Sequence, residues 1–134
     1  MKLAPYLFLD GRAEEAIEFY SRVLGAKVEM MMRFKDNPSP GMNPPGSENK
    51  IMHASIRVGH GVLLLSDGNC TGKPEFRGFA VTLYVADDDE AESKFKALSD
   101  GGRVEMPLNK TFFASKFGMV ADRFGVVWMV IVAS

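Results

Sequence analysis

The chain has 134 residues, 46% of them hydrophobic, and a formal net charge of -1 from 16 Lys and Arg against 17 Asp and Glu. That apolar fraction is ample to bury a core, which excludes a wholly disordered chain, and the balanced charge leaves no global field to attract nucleic acid or an anionic membrane. The one cysteine, Cys70, excludes an intramolecular disulfide and a cysteine-held metal centre, so a reducing compartment is expected.

Met1 to Pro5 passes through Tyr6-Leu7-Phe8-Leu9 into Asp10, too short an apolar run for a signal peptide or a membrane span, and a cytoplasmic location is expected. Pro5 to Leu9 reads as a buried strand. Asp10 is placed to cap a helix whose positive end suits Glu14 and Glu15, and whose face is marked by Ala13, Ala16, Ile17, Tyr20 and Leu24 at helical spacing; Gly25 closes it. Lys27 to Phe34 reads as a second strand, and the polar break from Asp36 to Asn49, with Pro38, Pro40, Pro44 and Pro45, as a mobile loop. Ile51 to Val58 and Val62 to Ser66 form a hairpin through Gly59-His60-Gly61.

After a loop from Asp67 to Gly78 the order starts again. Phe79 to Val85 is strand-like, Asp87 to Asp89 offer capping oxygens, and Ala91, Phe95 and Leu98 mark a helix face closed by Gly101-Gly102. Phe113 to Ala121 and Val126 to Val132 are the last strands. Sliding the sequence by 76 positions sets Leu7 on Leu83, Leu9 on Val85, Glu14 on Glu90, Phe19 on Phe95, Gly25 on Gly101 and Val28 on Val104 without a gap. The expectation is an α+β fold of two tandem βαβββ modules in a single domain over residues 1–134, with repeat one at about 1–67 and repeat two at about 79–134.

The run from Pro5-Tyr6-Leu7-Phe8-Leu9-Asp10 through Ala13-Glu14-Glu15-Ala16 and Phe19-Tyr20 to Leu24-Gly25-Ala26 resembles the opening of the vicinal oxygen chelate superfamily, which includes the glyoxalase, bleomycin-resistance and extradiol-dioxygenase proteins. The PhnB-like branch is the nearest in Lys50-Ile51-Met52-His53-Ala54, Leu64-Leu65-Ser66-Asp67 and Phe117-Gly118-Met119-Val120-Ala121-Asp122-Arg123-Phe124-Gly125, with Trp128 shortly after. The resemblance implies paired modules whose curled mixed sheets surround an open cup, usually within a homodimer. It implies function less firmly, since such folds carry both metal-dependent enzymes and metal-free proteins that bind drugs.

Catalytic members of the superfamily hold a divalent metal with His, Glu or Gln from the first and last strands of each repeat. Alignment places Pro5, Leu64 or Leu65, Val81 or a neighbour, and Met129 at those positions, so no metal and no cofactor is expected. Met129 reads as packing, having no second soft ligand in view. His53 is the candidate catalytic residue, with a hydrogen-bonded strand histidine as the plainer reading, and His60 reads as a solvent-exposed turn residue. Cys70 lacks a neighbour that would activate its thiol, and the stretch from Gly68 to Lys73 departs from a phosphate loop in spacing and in Pro74. The branch also carries a demethylubiquinone methyltransferase label, yet this sequence shows no glycine-rich strand-to-helix turn, and its element order disagrees with a doubly wound sheet.

A cup with hydrophobic residues at the former ligand positions suits an apolar or aromatic small molecule, with Phe8, His53, Leu64, Phe113, Met119, Trp128 and Met129 as candidate contacts. The leading expectation is a metal-free small-molecule binding protein of the bleomycin-resistance type that acts as a homodimer without nucleic-acid or membrane partners. A metal-independent enzyme using His53, or a metalloenzyme with displaced ligands, are the alternatives.

Overall fold

The computed structural model describes residues 1–68 and 73–133. Cys70 lies outside the described residues, as does most of the stretch compared above with a phosphate loop. The chain divides into two compact units, Met1–Pro74 and Glu75–Ser134.

The first unit contains β1 (Tyr6–Phe8), α1 (Ala13–Leu24), β2 (Lys27–Arg33), β3 (Ile51–Val58) and β4 (Gly61–Ser66). Its sheet has the order β1-β4-β3-β2, with β1 parallel to β4 and the other pairs antiparallel. The second unit contains β5 (Val81–Tyr84), α2 (Asp88–Ser99), β6 (Arg103–Asn109), β7 (Ala114–Ala121) and β8 (Val127–Ala133), in the order β5-β8-β7-β6 with β5 parallel to β8. The duplication therefore holds at the level of topology. It extends to an irregularity: the ladder slips between Val28 and Met30 in β2, and between Val104 and Met106 in β6. The fold is α+β, built from two βαβββ modules with mixed, unclosed sheets.

Each helix covers one face of its own sheet. In the first unit Ala13, Ala16, Ile17, Phe19, Tyr20 and Leu24 of α1 are buried, as are Leu7, Ala54, Ile56, Leu63 and Leu65 of the strands. A fully buried leucine or isoleucine stabilises the fold by about 1.5–3 kcal/mol, so this alternating set fixes which way each strand faces. In the second unit Ala91, Phe95 and Leu98 of α2 are buried, together with Val120, Trp128 and Val130. Gly118 lets the Phe95 ring approach the backbone of β7, since a Cβ there would lie 2.8 Å from Phe95 Cε2.

The two helix starts are built differently, and the first corrects an expectation. Asp10 does not cap α1: it sits in the left-handed region at φ 45, the N-cap is Arg12, and that residue makes no side-chain capping bond. The carboxylate comes instead from Asp67, just beyond β4. Its Oδ1 accepts from the N–H groups of Gly11 (2.7 Å) and Ala13 (2.9 Å), and its Oδ2 accepts from Ile51 N–H (2.9 Å). One side chain thus satisfies the open end of the helix and ties it to the start of β3. In α2 the cap is local, as expected: Asp87 Oδ1 accepts from Glu90 N–H at 2.8 Å. Gly25 closes α1 at φ 68, the conformation for which glycine carries no steric penalty.

The proline-rich segment after β2 has more internal structure than a featureless loop. It contains short 3-10 turns at Phe34–Asp36 and Pro40–Met42. Asn37 Nδ2 donates to Asn43 Oδ1 (2.8 Å), Asn43 Nδ2 donates to the Phe34 carbonyl (2.7 Å), and Ser47 Oγ donates to the Pro44 carbonyl (2.6 Å). No helix among the described residues is long and apolar enough to cross a membrane.

Candidate functional site

Because Leu7, Ala54, Ile56, Leu63 and Leu65 point toward the buried side, alternation puts Tyr6, Phe8, His53, Ser55, Leu64 and Ser66 on the opposite face of the first sheet. Register makes the arrangement specific. Tyr6 pairs with Leu64, Leu64 with Ser55, and Ser55 with Met30, forming one row across all four strands. Phe8 pairs with Ser66, and His53 with Met32.

The polar centre of this face is a phenol–imidazole pair. Tyr6 Oη lies 2.8 Å from His53 Nδ1, with the ring centroids 5.5 Å apart. The tyrosine ring is also supported by Phe8, stacked at 4.8 Å with an interplanar angle of 24°. Partial burial raises the Tyr6 pKa above its ordinary 10.0, and the Ser66 hydroxyl opposes that shift in part, so the phenol is protonated at neutral pH. With the phenol O–H donating to Nδ1, a neutral imidazole carries its proton on Nε2. Among the described residues Nε2 makes no hydrogen bond.

Backbone anchoring holds the pair in place. Ser66 Oγ donates to the Met52 carbonyl at 2.7 Å and accepts from Gly68 N–H at 2.9 Å, which joins the end of β4 to the residue preceding His53. At the opposite end of the face Arg57 is paired with Glu29 at 2.9 Å.

The second sheet presents a different surface. Val120, Trp128 and Val130 occupy its buried side, so Thr82, Tyr84, Phe117, Met119, Met129 and Ile131 lie on the other. Thr82 pairs with Met129, Met129 with Met119, and Met119 with Met106. This is the counterpart of the Tyr6–Leu64–Ser55–Met30 row. Thr82 Oγ1 donates to Met129 Sδ at 3.8 Å, and Phe113 packs edge-on against Phe117 at 5.2 Å.

Of the residues singled out from sequence, Phe8, His53 and Leu64 come together on one face of the first sheet. Met119 and Met129 are neighbours in the second, and Phe113 joins that face through Phe117. Trp128 does not join them. It is 1% exposed on the opposite side of β8, where its Nε1–H donates to Asp122 Oδ2 at 2.9 Å, and Asp122 Oδ1 also accepts from Phe124 and Val126 N–H. Its position is that of an interior packing residue. Tyr6 is the functional candidate that the sequence reading passed over, because a tyrosine inside an apolar strand carries no sign of which face it takes.

The positions corresponding to metal ligands in the superfamily can now be tested by register. Leu64 lies beside Tyr6 rather than Pro5, and Met129 beside Thr82, while Val81 pairs with Trp128 on the buried side. Neither the phenol and leucine of the first sheet nor the threonine hydroxyl and thioether of the second make a donor set for a hard divalent ion. Among the described residues no group of three or more His, Cys, Asp or Glu could hold one. Taken sheet by sheet, the side chains at these positions do not fit the metal that the superfamily would supply.

Residues 1–131 match the family model described as 3-demethylubiquinone-9 3-methyltransferase. Protein YjdN of Escherichia coli K12 is 34% identical over 138 residues, covering 97% of this chain and 94% of its own. The crystal structure of protein PA1353 from Pseudomonas aeruginosa superposes with a TM-score of 0.88 at 40% identity, over 99% of this chain and 98% of that one. At the level of fold alone, a glyoxylase/bleomycin resistance protein/dioxygenase domain from Frankia sp. EAN1pec gives a TM-score of 0.65 at 14% identity, over 100% of this chain and 91% of its own.

Proposed function

This chain belongs to the family described as 3-demethylubiquinone-9 3-methyltransferase, the PhnB-like group with a glyoxalase and bleomycin-resistance fold, and from that premise we propose that it is a metal-free small-molecule binding protein. The ligand is apolar or aromatic and is recognised on the open face of the first sheet. The observation that carries this reading is the Tyr6–His53 pair, a polar handle set among Phe8, Leu64 and Met32. Apolar surface with a few fixed polar groups is the usual composition of a ligand site. The apolar row through Met106, Met119 and Met129 gives the second sheet a surface of the same general kind without the imidazole. The methyltransferase description is not transferred as an activity: each four-stranded sheet holds one parallel pair, unlike a doubly wound parallel sheet with its cofactor-binding turn.

A metal-independent enzyme is the second reading, favoured by the same hydrogen bond, since an imidazole oriented by a phenol can move a proton. His53→Ala separates the two. Weakened ligand affinity supports recognition, lost turnover at retained affinity supports proton transfer, and a lower melting temperature with no effect on ligand leaves only a structural role. A metalloenzyme with displaced ligands would show itself as near-stoichiometric zinc, nickel, manganese or iron in untreated protein, removed by chelator together with activity.

We propose further that the protein is a homodimer, because each unclosed sheet leaves edge strands to be covered. Light scattering well above micromolar concentration should return twice the chain mass; a persistent monomer would contradict it. A cytoplasmic location fits the single cysteine.

A further inference from the structure

The hydrogen-bonding sense of the first sheet's polar handle restricts the chemistry it can recognise. Tyr6 Oη and His53 Nδ1 are 2.8 Å apart; with the protonated phenol as the donor, the neutral imidazole keeps Nε2–H as its remaining polar group. Three carboxylates of this unit are engaged. Glu29 is held by Arg57 at 2.9 Å, Glu14 by Arg33 at 2.6 Å, and Asp67 by the N–H groups of Gly11, Ala13 and Ile51. The neighbours of the pair in the sheet, Phe8, Leu64 and Met32, bring no carboxylate, and of the two serines on this face the Ser66 hydroxyl is engaged with the Met52 carbonyl and Gly68 N–H. A donor therefore stands on a largely apolar surface with no neighbouring carboxylate to match a cation.

We infer that the first sheet selects flat apolar molecules bearing an oxygen acceptor, a carbonyl or phenolate-type oxygen that receives Nε2–H of His53, and disfavours the corresponding amines. The inference rests on the ligand-binding reading above and adds the substrate class. An ammonium group placed at the same point would lose water, face the imidazole N–H and gain no carboxylate, whereas a carbonyl would exchange a water hydrogen bond for the imidazole's. The pairing also makes Tyr6 a positioning residue, because without its hydroxyl either ring nitrogen could carry the proton.

Two measurements on the full chain test this. A long-range proton–nitrogen correlation spectrum at about pH 8, above the ordinary histidine pKa, should show His53 as the Nε2–H tautomer, and Tyr6→Phe should move it toward a mixture. Titrations with 2-acetylnaphthalene, 2-ethylnaphthalene and 1-(2-naphthyl)ethylamine, followed by chemical shifts, should rank the ketone well above the amine. His53→Leu should then weaken the ketone by about fivefold, the loss of one net hydrogen bond, while leaving the hydrocarbon within about twofold. His53→Gln, which retains a donor, should restore part of the ketone affinity and guards against misfolding of the leucine variant. An Nδ1–H tautomer, or equal binding of ketone and amine, overturns the inference and leaves the binding reading standing. If none of the three probes binds, the binding reading fails and the inference falls with it, whatever the tautomer.

Discussion

The two sheets of this chain share strand order, pairing sense and even the position of a ladder slip, yet their open faces have diverged in chemistry. In the first, the row Tyr6–Leu64–Ser55–Met30 carries hydroxyls and lies beside an imidazole; in the second, the row Thr82–Met129–Met119–Met106 carries three thioethers. The helix-facing residues maintain the architecture in both, through Leu7, Ile56 and Leu65 in one and Val120, Trp128 and Val130 in the other. The faces turned away from the helices are released from that duty. The modules differ most on those faces, and the Tyr6–His53 pair, present in the first sheet alone, is the sharpest chemical difference between them.

The helix ends show the same freedom of solution, and they give the largest expected effects. Gly102 occupies the place of Ala26 in the first module, but a Cβ at Gly102 would collide with the Ala121 carbonyl oxygen and lie 2.9 Å from the Asp122 backbone. Gly102→Ala should therefore cost more than about 3 kcal/mol, beyond ordinary overpacking, whereas Ala26→Gly should cost only about 1 kcal/mol. Denaturant unfolding measures both; similar values would erase the distinction between the modules. Next in size, Asp67→Ala strands three N–H groups and should cost about 3 kcal/mol, against about 1 kcal/mol for loss of the local cap in Asp87→Ala.

On the faces themselves, Leu64→Asp places a charge within the apolar surround of the Tyr6–His53 pair and should weaken an aromatic ligand by at least about tenfold; Met129→Asp should weaken it less. Calorimetric titration of both variants decides this, and the reverse order would move the principal contact to the second sheet. The smallest effect concerns pH. Burial raises the folded-state pKa of Tyr6, so its protonated form is favoured by folding, and the associated stability is present below the ordinary value of 10.0 and lost as pH rises through the folded pKa. Tyr6→Phe should flatten the alkaline end of the stability profile; an unchanged slope would argue that the phenol is not held by its surroundings.

The modules themselves could be read from the sequence because strand-forming runs and helical spacing are local signals that recur at a fixed offset. The span Ile51–Val58 coincides with β3, and Asp87 caps α2 as its position beside an acidic run implied. Pairings between distant residues left no such trace. Asp67 reaches Ala13 across 54 positions, and Tyr6 reaches His53 across 47, so neither the true cap of α1 nor the polar pair is visible in any local window. Trp128 shows the same limit at the scale of one strand. Alternation separates it from Met129, but which of the two faces the helix depends on register with β5 and β7, and Trp128 pairs with Val81 and Val120 on the packed side.

Chemical-shift mapping of the full chain against a diverse library of apolar and aromatic compounds, with thermal stability measured in parallel, tests the central claim most directly. A ligand that binds only the native state raises its stability by mass action. Some aromatic members should stabilise the protein, with perturbations concentrated at Tyr6, Phe8, His53 and Leu64. Neither stabilisation nor shifts at those residues across the library would contradict it, and would leave the first sheet's open face as a surface for contacts with other proteins.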